Sequence, residues 1–532
     1  MHAPPISSPN DAMQASRLRR LTQRAETYRQ SGQKDAAIQS YEAALQLQPD
    51  SIAMNLAIAE MQLEAERHNP AREAALRALG GNFATPRLAL DLVRMLNRLS
   101  ESGLIIELAR QLPPSMWDSA RSLAEMAQEL SVIGAHELAR TYAREAVARD
   151  PNHPPSLAIH ATLDVYYGDL ESAAVHAERC LQFVPDDPGA HWLLSRLRLP
   201  EGERRVARLQ RELNRGVTPE LEAWFAYAQH NELHDMKDYR RSWAALERAC
   251  RAKRTALGYD PAAADALFEQ LLGWTAAEIA TPDGCDDPRL TPIFVIGLHR
   301  SGTTLTERII SGHSRVKAGG ETYDIRAQLR RASGIHFAGE VDARVLQVRD
   351  RLDYRAIGEG FLRGIAWRAE GAPYVTDKLP SNYYNVGFIA RALPRARFIN
   401  LRRDPINVGL SSLRTLFSHA CPYSYDQDDF VRHFRNYERL MAHWHRVLPD
   451  RILDVHYDDL VNAPEATTRR MAEFCGLDYE PGMVKIESRS EAVATASSVM
   501  MRDGIRRDRG EVWKAYEAQL QPMIERLQSA AA

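Results

Sequence analysis

The stretch IFVIGLHRSGTTLTERIISGH (293–313) decides how the second half of the chain folds. IFVIG (293–297) is a short apolar run ended by glycine, the pattern of a buried strand, and TTLTERIISGH (303–313) has helical periodicity. Between them, GLHRSGTT (297–304) spaces Gly297 and Gly302 as GxxxxG. A strand-to-helix turn of this kind aims backbone N–H groups at an anion, and the helix N-terminus adds positive potential. A nucleotide triphosphatase would continue with Gly-Lys-Ser/Thr. Here Thr303 stands at the lysine position, Thr304 follows it, and Arg300 sits earlier in the loop. The loop is an anion cradle that departs from the triphosphate pattern.

Outward from this loop, PYVTDK (373–378) and ARFINLRR (396–403) read as further strands, each followed by a helical stretch. Strand–helix alternation predicts a parallel α/β sheet, whose ligands sit at the carboxyl ends of the strands. FINLRRDPINVGLSS (398–412) places Arg403 at such an end and Ser411 eight residues later. A strand-end guanidinium offers a charged fork to a phosphate, and a hydroxyl two helical turns on can join it. RALPRARFINLRR (391–403) holds five arginines and no acid, as a dianionic ligand would favour.

The string GxxRSGTT after a strand resembles the 5′-phosphosulfate loop of sulfotransferases, which use 3′-phosphoadenosine-5′-phosphosulfate (PAPS). The family has proline before the arginine where this chain has His299, read here as shaping the loop. Arg403 and Ser411 match the family's 3′-phosphate pair. TDKLPSNYYNVGFI (376–389) looks like its DK-P-N segment, HYDDLVNAPEA (456–466) like its Y-[ED]-DL stretch, and VATASSVMMRDGI (493–505) like its TaS…R segment. The resemblance implies that Arg300, Ser301, Gly302, Thr303, Thr304, Arg403, Ser411 and Ser497 hold the co-substrate, with Ser498 an equal candidate for Ser497 and Arg502 beside them. It implies sulfuryl transfer with no metal, assisted by Arg300 and Lys378, which would neutralise the bridging oxygen as it gains charge. GGETYDI (319–325) resembles protein-tyrosine sulfotransferases, in which a glutamate so placed is the general base; that role falls to Glu321, with His313 as its rival.

The first half repeats itself. RLRRLTQRAETYRQSGQKDAAIQSYEAALQLQPD (residues 17–50) reads as two amphipathic helices about Gly32, closed by Pro49. Similar units, with Gly134 and Gly168 between their helices, end at Pro151 and Pro185, 34 residues apart. A degenerate middle keeps Ala59, Ala71, Ala75 and Ala78 in phase, and a looser last unit covers 222–250. Small residues where helices cross, at period 34, resemble the tetratricopeptide repeat. Such an array leaves a groove that holds a peptide or partner protein, or it only braces the second domain or makes a dimer.

The expected organisation is a flexible N-terminus (1–17), a tetratricopeptide-repeat array (18–275), a linker (276–292) that includes TPDGCDDPRLTP, and a P-loop-like α/β sulfotransferase domain (293–532). The whole is similar to bacterial proteins that join these two parts. The chain has 532 residues, 45% hydrophobic and 26% charged, with a net charge of −2; this excludes wholesale disorder and a basic field for nucleic acid. Five cysteines, none in a CxxC pair, and no apolar stretch for a membrane span or secretory leader predict a reducing cytoplasm and no membrane partner. The acceptor could be a peptide or protein, a saccharide or a small molecule. Two other readings stay open: a nucleotide kinase on the same fold, and a repeat scaffold with a non-catalytic nucleotide-binding domain.

Overall fold

The computed structural model describes residues 9–81, 83, 85–417, 420–487, 492, 493, 504, 505 and 511–529. Its first half is a series of helical hairpins, beginning with Pro9–Gln30 and Lys34–Leu45. The first helix starts inside the segment expected to be a flexible extension, with Pro9 in its first turn, where a missing N–H costs nothing. The hairpins Ala120–Val132 with His136–Arg149, and Pro154–Tyr167 with Leu170–Phe183, fall where the glycine-centred units predict them. Ala59, Ala71, Ala75 and Ala78 of the degenerate middle are fully buried, so helix contact is kept there by small side chains.

The period is written most clearly in the backbone. Gly32, Glu66, Ser100, Gly134 and Gly168 all adopt positive φ, between 57° and 82°, and each stands 34 residues after the last. The middle hairpins keep the left-handed turn but close it with Glu66 and Ser100. Residues with a Cβ pay about 1–2 kcal/mol there. That is why the repeat fades from the sequence while the geometry persists.

By contacts the chain forms two compact units: the residues up to Asp118 with Leu329–Ala338, and Ser119–Gln328 with the residues from Gly339 onward. In the first, the Asn69 amide donates to the Arg331 carbonyl at 3.0 Å and His68 stacks on His336 with 5.7 Å between ring centroids. The division falls inside the helical array.

The second unit contains five parallel strands: β1 (Thr291–Gly297), β2 (Val316–Lys317), β3 (Tyr374–Asp377), β4 (Arg397–Arg402) and β5 (Ile452–His456). Their order is β2-β3-β1-β4-β5, so winding reverses at central β1 and opens a crevice at the carboxyl ends of β1, β3 and β4. Central strands are covered on both faces, which is why β1 reads as a continuous apolar run. β2 and β5 are the edges. β2 has only two residues, and only Ile452 and Val455 of β5 are buried, so neither shows a strand pattern.

The later array helices are packed on this sheet's layers. The Tyr227 hydroxyl donates to the Leu413 carbonyl at 2.8 Å, and Arg254 pairs with Asp429 at 2.8 Å. The proline-rich segment before β1 is pinned rather than loose: Cys285 N–H donates to the Ala392 carbonyl at 2.8 Å, and Asp283 accepts from Arg391. Its turn-forming composition carries no trace of these distant contacts.

Candidate anion-binding active site

The loop after β1 is shaped by its glycines. Gly297 has φ +142°, and a Cβ there would stand 2.7 Å from the Leu401 carbonyl oxygen. Gly302 has φ +116° and would meet the Tyr457 ring at 2.6 Å. Arg300 between them is also left-handed, at φ +73°. Alternating backbone handedness turns successive N–H groups toward one concavity. The helix Thr303–Ile310 starts there, and its first-turn N–H groups have no partner within the helix. Ser301 is 1% exposed, and its hydroxyl finds no hydrogen-bond partner among the described residues. Thr303 is buried beside it and Thr304 is partly open. A cavity of about 220 Å³ adjoins the loop, lined in part by Ser301, Leu401, Arg403, Asp404 and His456.

Arg300 Nε donates to Ser411 Oγ at 3.0 Å, and Arg403 Nη1 donates to the Arg300 carbonyl at 3.2 Å. The pair expected from an eight-residue spacing therefore meets the loop. Ser411 reaches it from the helix Pro405–Leu413, whose start is capped by Asp404. The Arg403 guanidinium lies over the Tyr457 ring at 4.3 Å, and the same ring faces Gly302. Burial and the nearby cations Arg403, Arg196 and Arg414 push the Arg300 guanidinium down to about 10. Cations crowded together at a helix N-terminus are the mark of an anion site.

Most of the other arginines of 391–403 are paired with acids in the structure. Arg391 pairs with Asp283, Arg395 with Asp286, and Arg402 with Glu438 and Asp454. Strand alternation separates Arg402 from Arg403, and acids distant in sequence meet the others.

Glu321 sits on a turn held from both sides. Gly320 N–H donates to Glu307 Oε1 at 2.9 Å. The Thr376 hydroxyl donates to the same oxygen at 2.8 Å while accepting from Gly319 N–H at 3.0 Å. Gly319 admits no Cβ, which would lie 2.0 Å from the Thr376 carbonyl oxygen, and Gly320 has φ +71°. On the far side the Thr322 hydroxyl donates to Asp377 at 2.7 Å, and Asn382 donates to the other carboxylate oxygen at 3.1 Å. Burial holds the Asp377 carboxyl well above its usual range. Between these anchors, Glu321 accepts from Lys378 Nζ at 2.5 Å. Lys378 is 1% exposed and Glu321 39%, so the carboxylate is the open end of the pair.

Arg300, Lys378 and Glu321 all act on one buried imidazole, that of His299: burial pushes it down to about 4, with Glu321 opposing and Lys378 and Arg300 reinforcing. It packs edge-on against Phe417, with 5.6 Å between centroids. His313 is elsewhere, buried against Glu480 and accepting from Arg315 N–H at 3.0 Å. Ser497, Ser498 and Arg502 lie outside the described residues.

Three contributors had no expectation attached. Glu307, one turn into the loop helix, fixes the Gly-Gly-Glu turn. Tyr166 and Arg196 come from the helical array: burial raises the Tyr166 phenol, with Arg196 opposing and Glu321 adding to it, and Arg196 is among the cations acting on Arg300. A glutamate three residues after two threonines in a loop helix was the only sequence signal for Glu307. The two array residues left none.

Residues 292–481 match the model of the sulfotransferase family, and residues 18–51 match a tetratricopeptide repeat. An uncharacterized protein of Aquifex aeolicus is 28% identical over 405 residues, 72% of this chain and 52% of the relative. Protein-tyrosine sulfotransferase 1 of Danio rerio is 26% identical over 222 residues, 39% of this chain and 59% of the relative. The matched regions span between about half and three-fifths of these relatives. The sulfotransferase domain from the Synechococcus PCC 7002 olefin synthase covers 47% of this chain and 97% of its own, at 19% identity and a TM-score of 0.33. Among the described residues, no helix is long and apolar enough to cross a membrane.

Proposed function

We propose that this chain, in which a sulfotransferase-family domain follows tetratricopeptide repeats, transfers the sulfuryl group of PAPS to an acceptor hydroxyl, with a peptidyl tyrosine as the first acceptor to test. The observation that carries the reading is the meeting of Arg300, Ser411 and Arg403 at the loop. The residues present fit the co-substrate. The loop N–H groups, Thr303 and Thr304 suit a 5′-phosphosulfate, Arg403 with Ser411 suits a 3′-phosphate, and the Ser301 hydroxyl, without a partner among the described residues, gains an acceptor when an anion arrives.

Sulfuryl transfer, like phosphoryl transfer, depends on alignment and charge neutralisation. Arg300 and Lys378 neutralise the oxygen left behind, and Glu321 takes the acceptor's proton. A carboxylate is a weak base for a phenol of pKa near 10, so the proton moves as transfer proceeds. Lys378 at 2.5 Å orients the carboxylate toward the open side of the crevice. Names among the relatives support tyrosine as the acceptor.

Calorimetric titration with 3′-phosphoadenosine-5′-phosphate tests the reading. We expect tight binding by the wild type, at least ~10-fold weaker binding by Ser301→Ala and by Arg403→Ala as charge-assisted hydrogen bonds are lost, and none of ATP with magnesium. Absence of binding by the wild type, or equal affinity in Arg403→Ala, overturns it. Labelled donor with tyrosine-containing peptides then tests the acceptor.

A further inference from the structure

In the helical array, three side chains outside the crevice meet at one point. His160 and Asp164 are four residues apart on the helix Pro154–Tyr167, hence on one face. His176 comes from Leu170–Phe183, the second helix of that hairpin. His160 Nδ1 lies 3.0 Å and His176 Nδ1 3.1 Å from the same oxygen, Asp164 Oδ2. One donor atom from each residue lies within 4.8 Å of the others.

We propose that His160, Asp164 and His176 bind a first-row divalent cation, with zinc the best-matched ion, as a clasp across this hairpin. Zinc bonds to imidazole nitrogen and carboxylate oxygen are each about 2.0–2.2 Å, which makes a tetrahedral edge about 3.3 Å. The two nitrogen–oxygen separations are within a few tenths of an ångström of that edge. The imidazole rings, 4.4 Å apart and tilted by 49°, leave the third edge to close by ring rotation. Two imidazoles and one carboxylate, with no thiolate, suit zinc and leave a fourth position for water.

The carboxylate is prepared for this. Its side chain is 2% exposed, and Ser172 Oγ donates to Oδ2 at 2.7 Å. The hairpin is rigid where the ligands sit: Gly168 supplies the left-handed turn, and Asp169 caps the second helix by accepting from Ser172 N–H at 3.1 Å. The imidazoles are 14% and 20% exposed, which gives the ion a way in. Ligation through Nδ1 requires the Nε2–H tautomer, so the metal replaces both hydrogen bonds to Asp164. A closed hydrogen-bonded triad without affinity for metal is the competing account.

The test uses the full chain, stripped by chelation and titrated at pH 7.5 with zinc in competition with a chromophoric chelator. His160→Gln, His176→Gln and Asp164→Asn are run beside the wild type, with circular dichroism confirming that each is folded. We expect one zinc per chain, a rise in melting temperature on binding, and affinity lower by roughly 100-fold or more in each folded variant. Cobalt should give the intense d–d bands of a four-coordinate site in the wild type and weak ones in His176→Gln, a partly exposed position whose variant is the least able to disturb folding. Substoichiometric binding by the wild type, or zinc affinity and cobalt spectra unchanged in His176→Gln, overturns the proposal and leaves the triad as a hydrogen-bonded latch.

Discussion

Removing the Glu307 carboxylate should separate co-substrate binding from turnover. Glu307 is 7% exposed, and its Oε1 accepts from Gly320 N–H at 2.9 Å and Thr376 Oγ1 at 2.8 Å. Hydrogen bonds to a charged group are worth about 1.5–3 kcal/mol each, and partial rehydration recovers some of that. Glu307→Ala should therefore destabilise the protein by about 3 kcal/mol. Glu307→Gln keeps an acceptor oxygen in place and should cost about 1 kcal/mol. The unanchored turn then lets Glu321 slide from Lys378, and a displacement of about 1 Å at a reacting group can cost 100-fold in rate. Urea unfolding, titration with 3′-phosphoadenosine-5′-phosphate and turnover of labelled donor are the three readouts. We expect a lower unfolding midpoint, nucleotide affinity within about 2-fold of wild type, turnover reduced about 10- to 100-fold in Glu307→Ala, and substantial recovery in Glu307→Gln. An unchanged midpoint refutes the claim that this carboxylate holds the turn. A loss of nucleotide affinity as large as the loss of turnover refutes its separation from the anion loop.

The left-handed turn residues of the array offer a paired test by thermal unfolding. Gly32 has φ +76° with nothing within 4 Å of a built Cβ, so Gly32→Ala should cost about 1 kcal/mol from the backbone alone. Ser100 has φ +61° and a buried hydroxyl without a partner among the described residues, so Ser100→Gly should stabilise by about 0.5–1 kcal/mol; a melting temperature that falls in Ser100→Gly contradicts this. Stability should also fall on mild acidification. Burial pushes His299 down to about 4 and His433 to about 3, so between the unfolded value near 6.5 and these values the unfolded chain binds the extra protons. Their contribution is complete above pH 6.5 and declines by about 1.4 kcal/mol per histidine per pH unit below it. Urea midpoints that stay level from pH 7 to pH 5 would show that neither imidazole is held neutral.

How much of the site could be read in advance follows from how local its parts are. The loop 297–304 is a strand, a turn and a helix start in consecutive residues. Arg403 and Ser411 are joined by one strand end and two helical turns, so their spacing alone brings both to the cradle. Glu321 was readable through its two glycines, but its carriers were not. Glu307 reaches Thr376 across 69 residues and Thr322 reaches Asp377 across 55, and partners so far apart leave no periodic trace. His299 looked like a loop-shaping substitution, and in the structure its buried imidazole is also acted on by Glu321, Lys378 and Arg300.

By itself the sequence determined the elements and the local chemistry: a period of 34 with small residues at helix crossings, a parallel sheet announced by apolar runs, and an anion loop. Steric exclusion and backbone handedness act between near neighbours, so glycines and spacings record them. Only the tertiary structure decided which of five arginines faces the loop, which acids silence the other three that are paired, and that Tyr457 fills the space between Gly302 and Arg403. It alone set the charge of Arg196 against that of Arg300 and brought His160, Asp164 and His176 to a common point. Those arrangements depend on how whole helices pack. Packing is set by the summed burial of many side chains, and no single residue in the sequence carries it.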